Sequence, residues 1–286
     1  QPTVSVDRIK YDSMVPDLKN EDEKTVIENT EFGSSYQQLK EVDPRNFRQR
    51  KPSGADPHFS LMVEFLGENV EGEAGPYRQF FTDISREVTT ILPLFILTPN
   101  GQSKLGNNQD RYIISPSYNS RKHLRMYRYF GQLMGIAIRT GTVISIDFSP
   151  YFWKQLVGEV MTFDDLAEID FIFHSFLLQL KTMDKQEFEE QNFGISFTTT
   201  TSDTKEKSLF SGGEHVPLTF ENREEYIQLC TELRLKESIP QVNHIRKGLC
   251  DVIPSPILEL LSWQDLELCI CKNSDLDIDL LKVNHP

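Results

Sequence analysis

Cysteine is scarce in this chain, with four in 286 residues and no Cys-x-x-Cys pair, which excludes a disulfide framework. Asn-x-Ser/Thr acceptors are absent, and the opening QPTVSVDRIK lacks the apolar centre of a signal peptide. Long hydrophobic runs are missing too. The longest, YFGQLMGIAI (residues 129–138), is half of the roughly 20 residues that a membrane span needs. Positive charge is in deficit: 30 basic side chains stand against 43 acidic ones, for a net charge of −13. Nucleic acid would need a concentrated basic face, and the best local run, RNFRQRK (residues 45–51), reads as a solvated loop. The expectation is a soluble cytoplasmic protein with no nucleic-acid partner and no membrane span.

Catalytic motifs are equally hard to find. GQSKLG has the glycine spacing of a phosphate loop but continues with Asn107 and Asn108 in place of Lys-Ser/Thr. There is no Gly-x-Ser-x-Gly elbow and no His-Glu-x-x-His, and no two of the six histidines stand at metal-ligand spacing. Carboxylate pairs such as Asp164-Asp165 and Glu224-Glu225 fall at helix starts, where they complement the helix dipole. Cys230 lies among leucines in a helical pattern, Cys250 has Arg246 and Lys247 nearby but also the apolar Leu249 and Val252, and Cys269 and Cys271 lie near a helix C-terminus. None of these settings lowers a thiol pKa plainly, so buried structural cysteine is the reading for all four. No cofactor and no metal are expected.

Apolar content is what the chain has. It is 38% hydrophobic and includes 19 Phe, enough for a sizeable core. Residues 1–57 read as polar, with regular structure beginning at the strand-like FSLMVEFLG (59–67). Glycine-rich GENVEGEAGP reads as a loop, and RQFFTDISREVTTIL (78–92) as a helix. KHLRMYRYFGQLMGIAIRTG predicts a long helix closed by Gly141, in which Gly131 and Gly135 admit a close neighbour. SPYFWKQLVG carries its own punctuation in Ser149, Pro150 and Gly158. A helix follows in DFIFHSFLLQLKTM, then strands in NFGISFTTTTSD and HVPLTF, then a helix in REEYIQLCTELRL started by Asn222 and Glu225. Two short helices finish the chain, opened by Ser255-Pro256 and by Ser262 with Asp265. The fold class is α+β, mainly helical, with a large helical part and a small α/β insert at residues 161–237.

The order of YRYFGQLMGIAIRTG, SPYFWKQLVG, TFDDL, LTFENREEYI, RKGLCDVIPSPILELLS and DLELCIC resembles the HECT family of ubiquitin ligases, specifically the amino-terminal lobe of that domain. The likeness covers residues 59–284, and residues 1–58 join it chiefly through VDRIKYDS. GIAIRTG and WKQLVG are nearest to the large HERC-type members. Two departures stand out. The family usually has Asp and two glycines before Arg-x-Phe-Phe where this chain runs Glu73, Ala74, Gly75, Pro76, Tyr77, Arg78, and Lys272 replaces a glycine.

The resemblance implies a bilobal amino-terminal lobe. Residues 1–58 would be an extension leading into the domain, 59–160 and 238–286 the large subdomain, and 161–237 a small subdomain that docks a ubiquitin-conjugating enzyme. It implies that ubiquitin passes as a thioester to a cysteine in a carboxy-terminal lobe, in a Thr-Cys-Phe context. This sequence has no Thr-Cys, and it stops where the family's hinge begins. Cys271 occupies a structural position, so no catalytic residue is expected here and the fragment alone should be inactive. The docking residues implied are Phe173, Phe176, Leu177, Leu180, Phe193, Ile195 and Tyr226. A small subdomain has little core in which to hide two apolar faces of one helix, which favours the same surface. Leu94 and Phe95 match a stretch that holds non-covalent ubiquitin in some members, with core packing the favoured role for both here. Ubiquitin and the conjugating enzyme are the expected partners, with protein substrates held elsewhere. The rival reading is a non-catalytic helical interaction scaffold.

Overall fold

The computed structural model describes residues 1–14, 22–48, 59–68, 72–92, 94–191 and 193–271. Residues 49–51 of the basic run, Lys272 and the residues beyond it lie outside the described residues. The architecture is mainly helical α+β, with three two-stranded sheets among the described residues.

Regular structure begins at Thr3, well before residue 59. β1 (Thr3–Val6) is followed by α1 (Arg8–Met14), α2 (Glu23–Glu28) and α3 (Glu31–Leu39). β1 lies parallel to β2 (Met62–Phe65), with Thr3 opposite Met62 and Val6 opposite Phe65. Val4 and Val6 alternate inward and are fully buried. Polar composition concealed this, because two buried valines suffice to anchor so short a strand.

α4 (Ala74–Thr90) starts inside the glycine-rich stretch that reads as a loop. Pro76 suits a first helical turn, where no N–H is needed, and Tyr77, Phe80, Phe81, Ile84 and Val88 form the buried stripe behind it. Glu87 of α4 serves another helix. Its carboxylate accepts from the Glu31 and Phe32 N–H groups at 2.9 and 2.8 Å, satisfying orphan donors at the start of α3. Burial pushes this carboxyl up to about 7 despite those bonds.

β3 (Phe95–Leu97) and β4 (Tyr112–Ile114) pair antiparallel around α5 (Pro99–Ser103). α6 (Arg121–Thr140) is capped by Ser120 and closed, as its sequence predicts, by Gly141 at φ 65°. α7 (Pro150–Val157) likewise begins at Ser149-Pro150 and ends at Gly158, φ 89°. α8 (Phe163–Ala167), α9 (Phe171–Thr182) and α10 (Lys185–Gln191) lead to β5 (Thr198–Thr200), β6 (Glu206–Ser208) and α11 (Arg223–Lys236). β5 pairs with β6, so HVPLTF is not a strand; it touches residue 196 through one isolated bridge at Pro217. Asn222 starts α11 without a side-chain cap, its Oδ1 accepting instead from the Thr219 N–H at 2.7 Å.

α12 (Ile239–Val252), α13 (Ser255–Leu260) and α14 (Trp263–Cys271) complete the described chain. α12 has no counterpart in the sequence reading, yet it is the main partner of α6. The two helices meet along a glycine seam: a Cβ on Gly131 would stand 2.1 Å from the Ile245 carbonyl oxygen, and one on Gly248 only 1.8 Å from that of Arg128. Gly131 and Gly135 are therefore packing residues. Asp251 of α12 fastens the crossing, accepting from Arg128 Nε at 2.8 Å, Arg128 Nη2 at 2.9 Å and Gln132 Nε2 at 2.9 Å.

One large apolar cluster runs from Val4 to Ile270. A second, containing Leu177, Leu180, Met183, Phe188, Phe197, Tyr226, Ile227 and Cys230, belongs to residues between 177 and 230 alone. A third cluster, of Ile113, Tyr151, Leu166 and Ile169, draws on both parts. No described helix is long and apolar enough to cross a membrane.

Candidate functional site

The second cluster carries the candidate site, and a buried polar knot fixes its orientation. Asp170 caps α9 by accepting from the Phe173 N–H at 3.1 Å, and its other oxygen lies 2.9 Å from Arg234 Nη2 on α11. Arg234 also donates to Ser202 Oγ at 3.0 Å, and its guanidinium lies 4.4 Å from the Phe173 ring centre. Glu237 closes the knot, 3.4 Å from Arg234 Nε, while accepting from both the N–H and the hydroxyl of Ser202. Burial raises the Glu237 carboxyl, and Arg234 and Ser202 only partly offset it. α9, the β5–β6 hairpin and α11 are thereby held by one arginine.

Two further residues tie this part to the large one. Asn100, fully buried, accepts from the Phe171 N–H at 2.6 Å and donates to the carbonyls of Asn107 at 3.0 Å and Ala167 at 3.1 Å. Asp203 accepts from the Ser117 N–H at 3.0 Å. Burial would raise the Asp203 carboxyl, but hydrogen bonds from Ser117 and Thr201 outweigh it and hold the group below its ordinary value.

The chain opens a groove of about 830 Å³ on the outside of the second cluster. One wall is the extended stretch holding Phe193 and Ile195; the other holds Leu218 and Phe220. The walls are joined by Leu218 N–H donating to the Ile195 carbonyl at 2.8 Å and Phe197 N–H to the Val216 carbonyl at 3.0 Å. Phe188 underlies both, its ring 5.3 Å from that of Phe193 and 6.0 Å from that of Phe220. Phe193, Ile195, Leu218 and Phe220 all stay partly exposed. Glu189, Glu214 and Glu221 stand around them.

Of the seven docking residues expected from the sequence, the structure brings two, Phe193 and Ile195, into this groove. Phe176 is half-buried with its ring 6.2 Å from that of Phe193, so it lies next to the groove. Phe176 and Phe173 line a separate hollow with Ile172, against α5 and residues 200–204. Leu177, Leu180 and Tyr226 require correction. Both leucines are fully buried, and Tyr226 is 3% exposed. The Tyr226 hydroxyl donates to the Thr198 carbonyl at 3.0 Å and its ring meets Phe197 edge-on at 5.5 Å. It is a strut between α11 and β5, not a side chain offered to a partner. The reason is the hydroxyl: reaching β5 requires the ring to point inward.

Leu94 and Phe95 take the core-packing role, not the ubiquitin-binding one. Both are fully buried, with Phe95 packed against Phe130 and Phe148 at 4.9 and 4.8 Å between ring centres. Neither side chain presents a surface to ubiquitin.

Sequence reasoning missed Leu218 and Phe220 as groove residues, although the alternation in HVPLTF signalled a half-exposed segment. It missed Arg234 and Asn100 entirely. A lone arginine in a helix with other charges carries no sign of burial.

Burial raises the Cys230 and Cys250 thiols, which lowers their thiolate fraction at neutral pH. Cys269 is buried, and the Cys271 thiol faces the Ile146 carbonyl at 3.6 Å. Among the described residues no group of three or more His, Cys, Asp or Glu could hold a metal ion.

Comparison with known proteins gives these features a setting. The family described as HECT-domain (ubiquitin-transferase) matches residues 82–285. The E3 ubiquitin-protein ligase HERC2 of Homo sapiens is 35% identical over 79% of this chain and 5% of its own length. The probable E3 ubiquitin-protein ligase HECTD4 of Homo sapiens is 29% identical over 90% of the chain and 7% of its own length. The E3 ubiquitin-protein ligase HACE1 of Danio rerio is 28% identical over 76% of the chain and 24% of its own length. The chain thus spans a small part of each of these relatives.

Proposed function

The chain belongs to the HECT family of ubiquitin transferases, as the amino-terminal lobe of that domain, and on this basis we propose that the groove between Ile195 and Leu218 docks a ubiquitin-conjugating enzyme. The enzyme would arrive carrying ubiquitin as a thioester. A cysteine thiolate in a carboxy-terminal lobe outside residues 1–286 attacks the thioester carbonyl, the enzyme's own thiolate leaves, and ubiquitin passes next to a substrate lysine. Splitting one acyl transfer in two is covalent catalysis, and the part of this chain is to hold the donor in place. The raised thiols of Cys230 and Cys250 support leaving the nucleophile to another lobe.

The observation that carries the reading is the open apolar groove. Phe193, Ile195, Leu218 and Phe220 stay partly exposed although a core of the same cluster lies directly beneath them. Aromatic and aliphatic anchors of a partner are received in such concave apolar patches. The test is calorimetric titration of the folded chain against a panel of conjugating enzymes, with Ile195→Ala and Leu218→Ala alongside. At least one enzyme should bind, and each truncation should weaken it about tenfold or more, with little loss of melting temperature. Binding that is indifferent to both truncations would remove the groove from the docking reading.

A further inference from the structure

The groove has an apolar floor and an acidic rim. Between residues 161 and 237, 16 acidic side chains stand against 7 basic ones, so about a quarter of the chain holds most of its net charge of −13. Part of that charge stands at the groove. Glu189, Glu214 and Glu221 line it, and among the described residues no lysine or arginine does. Lys185 is the cation that answers them, 2.9 Å from Glu221 and 3.7 Å from Glu189. Glu214 is bonded to the Ser208 hydroxyl at 2.7 Å, which helps to hold it ionised, and no cation other than His215, at 3.8 Å, stands beside it among the described residues.

A partner loop seated on this floor would pass close to that rim. An apolar loop flanked by acidic side chains would meet like charge from several directions as it entered. One flanked by Lys and Arg would be steered in, and rim charges act mainly on the association rate and its salt dependence. We propose that the acidic rim of Glu189, Glu214 and Glu221 selects among conjugating enzymes, admitting those whose apolar docking loop is flanked by basic side chains and rejecting those flanked by acidic ones. The selection rests on the docking reading above and adds the chemistry of the partner to it.

Stopped-flow and equilibrium binding test the selection, using the folded chain and a conjugating enzyme whose apolar loop carries flanking Lys or Arg. Three proteins are compared: the native chain, the triple variant Glu189→Lys, Glu214→Lys, Glu221→Lys, and a control with the same charge change at the exposed Glu28, Glu41 and Glu259. The rim variant should associate about tenfold or more slowly at low salt, whereas the control should lose much less, and the difference should shrink at high salt. Turning the flanking basic residues of the enzyme to Glu should weaken binding to the native chain and restore it to the rim variant. If the rim variant behaves like the control while Ile195→Ala still weakens binding, rim selection is wrong and the docking site stands. If Ile195→Ala has no effect either, both ideas fall.

Discussion

Arg234 Nη2 stands 2.9 Å from Asp170 Oδ2, with the arginine side chain 1% and the aspartate 14% exposed. This pair joins two helices that begin 52 positions apart in sequence, at Phe171 and Arg223, and Ser202 brings the β5–β6 hairpin into the same knot. Removing one member leaves the others charged and dry. Arg234→Ala should therefore destabilise the chain by roughly 3–5 kcal/mol in urea titration. Arg234→Met, which keeps much of the volume over Phe173, should cost less. A loss below about 1 kcal/mol for the alanine variant would show the knot to be dispensable.

Tyr226 gives a second prediction. Tyr226→Phe removes the hydroxyl that reaches Thr198 and should cost about 1 kcal/mol, while Tyr226→Ala should cost roughly 3–5 kcal/mol as a buried aromatic does. Any loss of partner binding should track unfolding. If Tyr226→Ala keeps the native melting temperature but loses the partner, then the ring belongs to the groove after all.

The glycine seam gives a third. In an ordinary helix interior, Gly→Ala stabilises by about 1 kcal/mol. At Gly248 the new Cβ would meet the Arg128 carbonyl oxygen at 1.8 Å, so Gly248→Ala should instead destabilise by about 2 kcal/mol or more. Gly75, in the first turn of α4, has open space within 4 Å of where an added methyl would stand. It is the control, and Gly75→Ala should show the ordinary gain or no change. Equal effects at both positions would contradict the close crossing of α6 and α12.

These positions show what the sequence could and could not disclose. α6 and α7 were legible through local punctuation, Gly141 for the first and Ser149 and Gly158 for the second, and α9 through its apolar run. Phe193 and Ile195 were found in the groove through family likeness. α12 was hidden because Pro240 and Gly248 look like breakers; Pro240 sits in the first turn, and Gly248 is needed by the neighbouring helix. β1 was hidden because its partner lies 59 positions away, and no local pattern reveals a long-range parallel pair. Tyr226 and Leu180 fall on helix faces that periodicity can mark as apolar, but which apolar face is covered depends on elements far along the chain.

Glu87 supplies a prediction in pH. Its carboxyl is raised from 4.5 to about 7, so its contribution to stability is fully present below about pH 4.5 and is lost as pH rises through about 7. At about 1.4 kcal/mol for each pKa unit, the group alone would lower stability by roughly 3 kcal/mol between those limits. Urea titrations from pH 5 to pH 8 should show native stability falling relative to Glu87→Gln, which cannot ionise. Parallel pH profiles for the two proteins would mean that Glu87 is ionised throughout.

The measurement that tests the docking claim most directly is hydrogen exchange on the folded chain with and without a bound conjugating enzyme. Added protection should fall on residues 193–197 and 213–221, the two walls of the groove. Residues 94–97, which include the buried Leu94 and Phe95, should be unchanged. Protection confined to the hollow lined by Ile172, Phe173 and Phe176, or to any face of the large apolar cluster, would contradict the account.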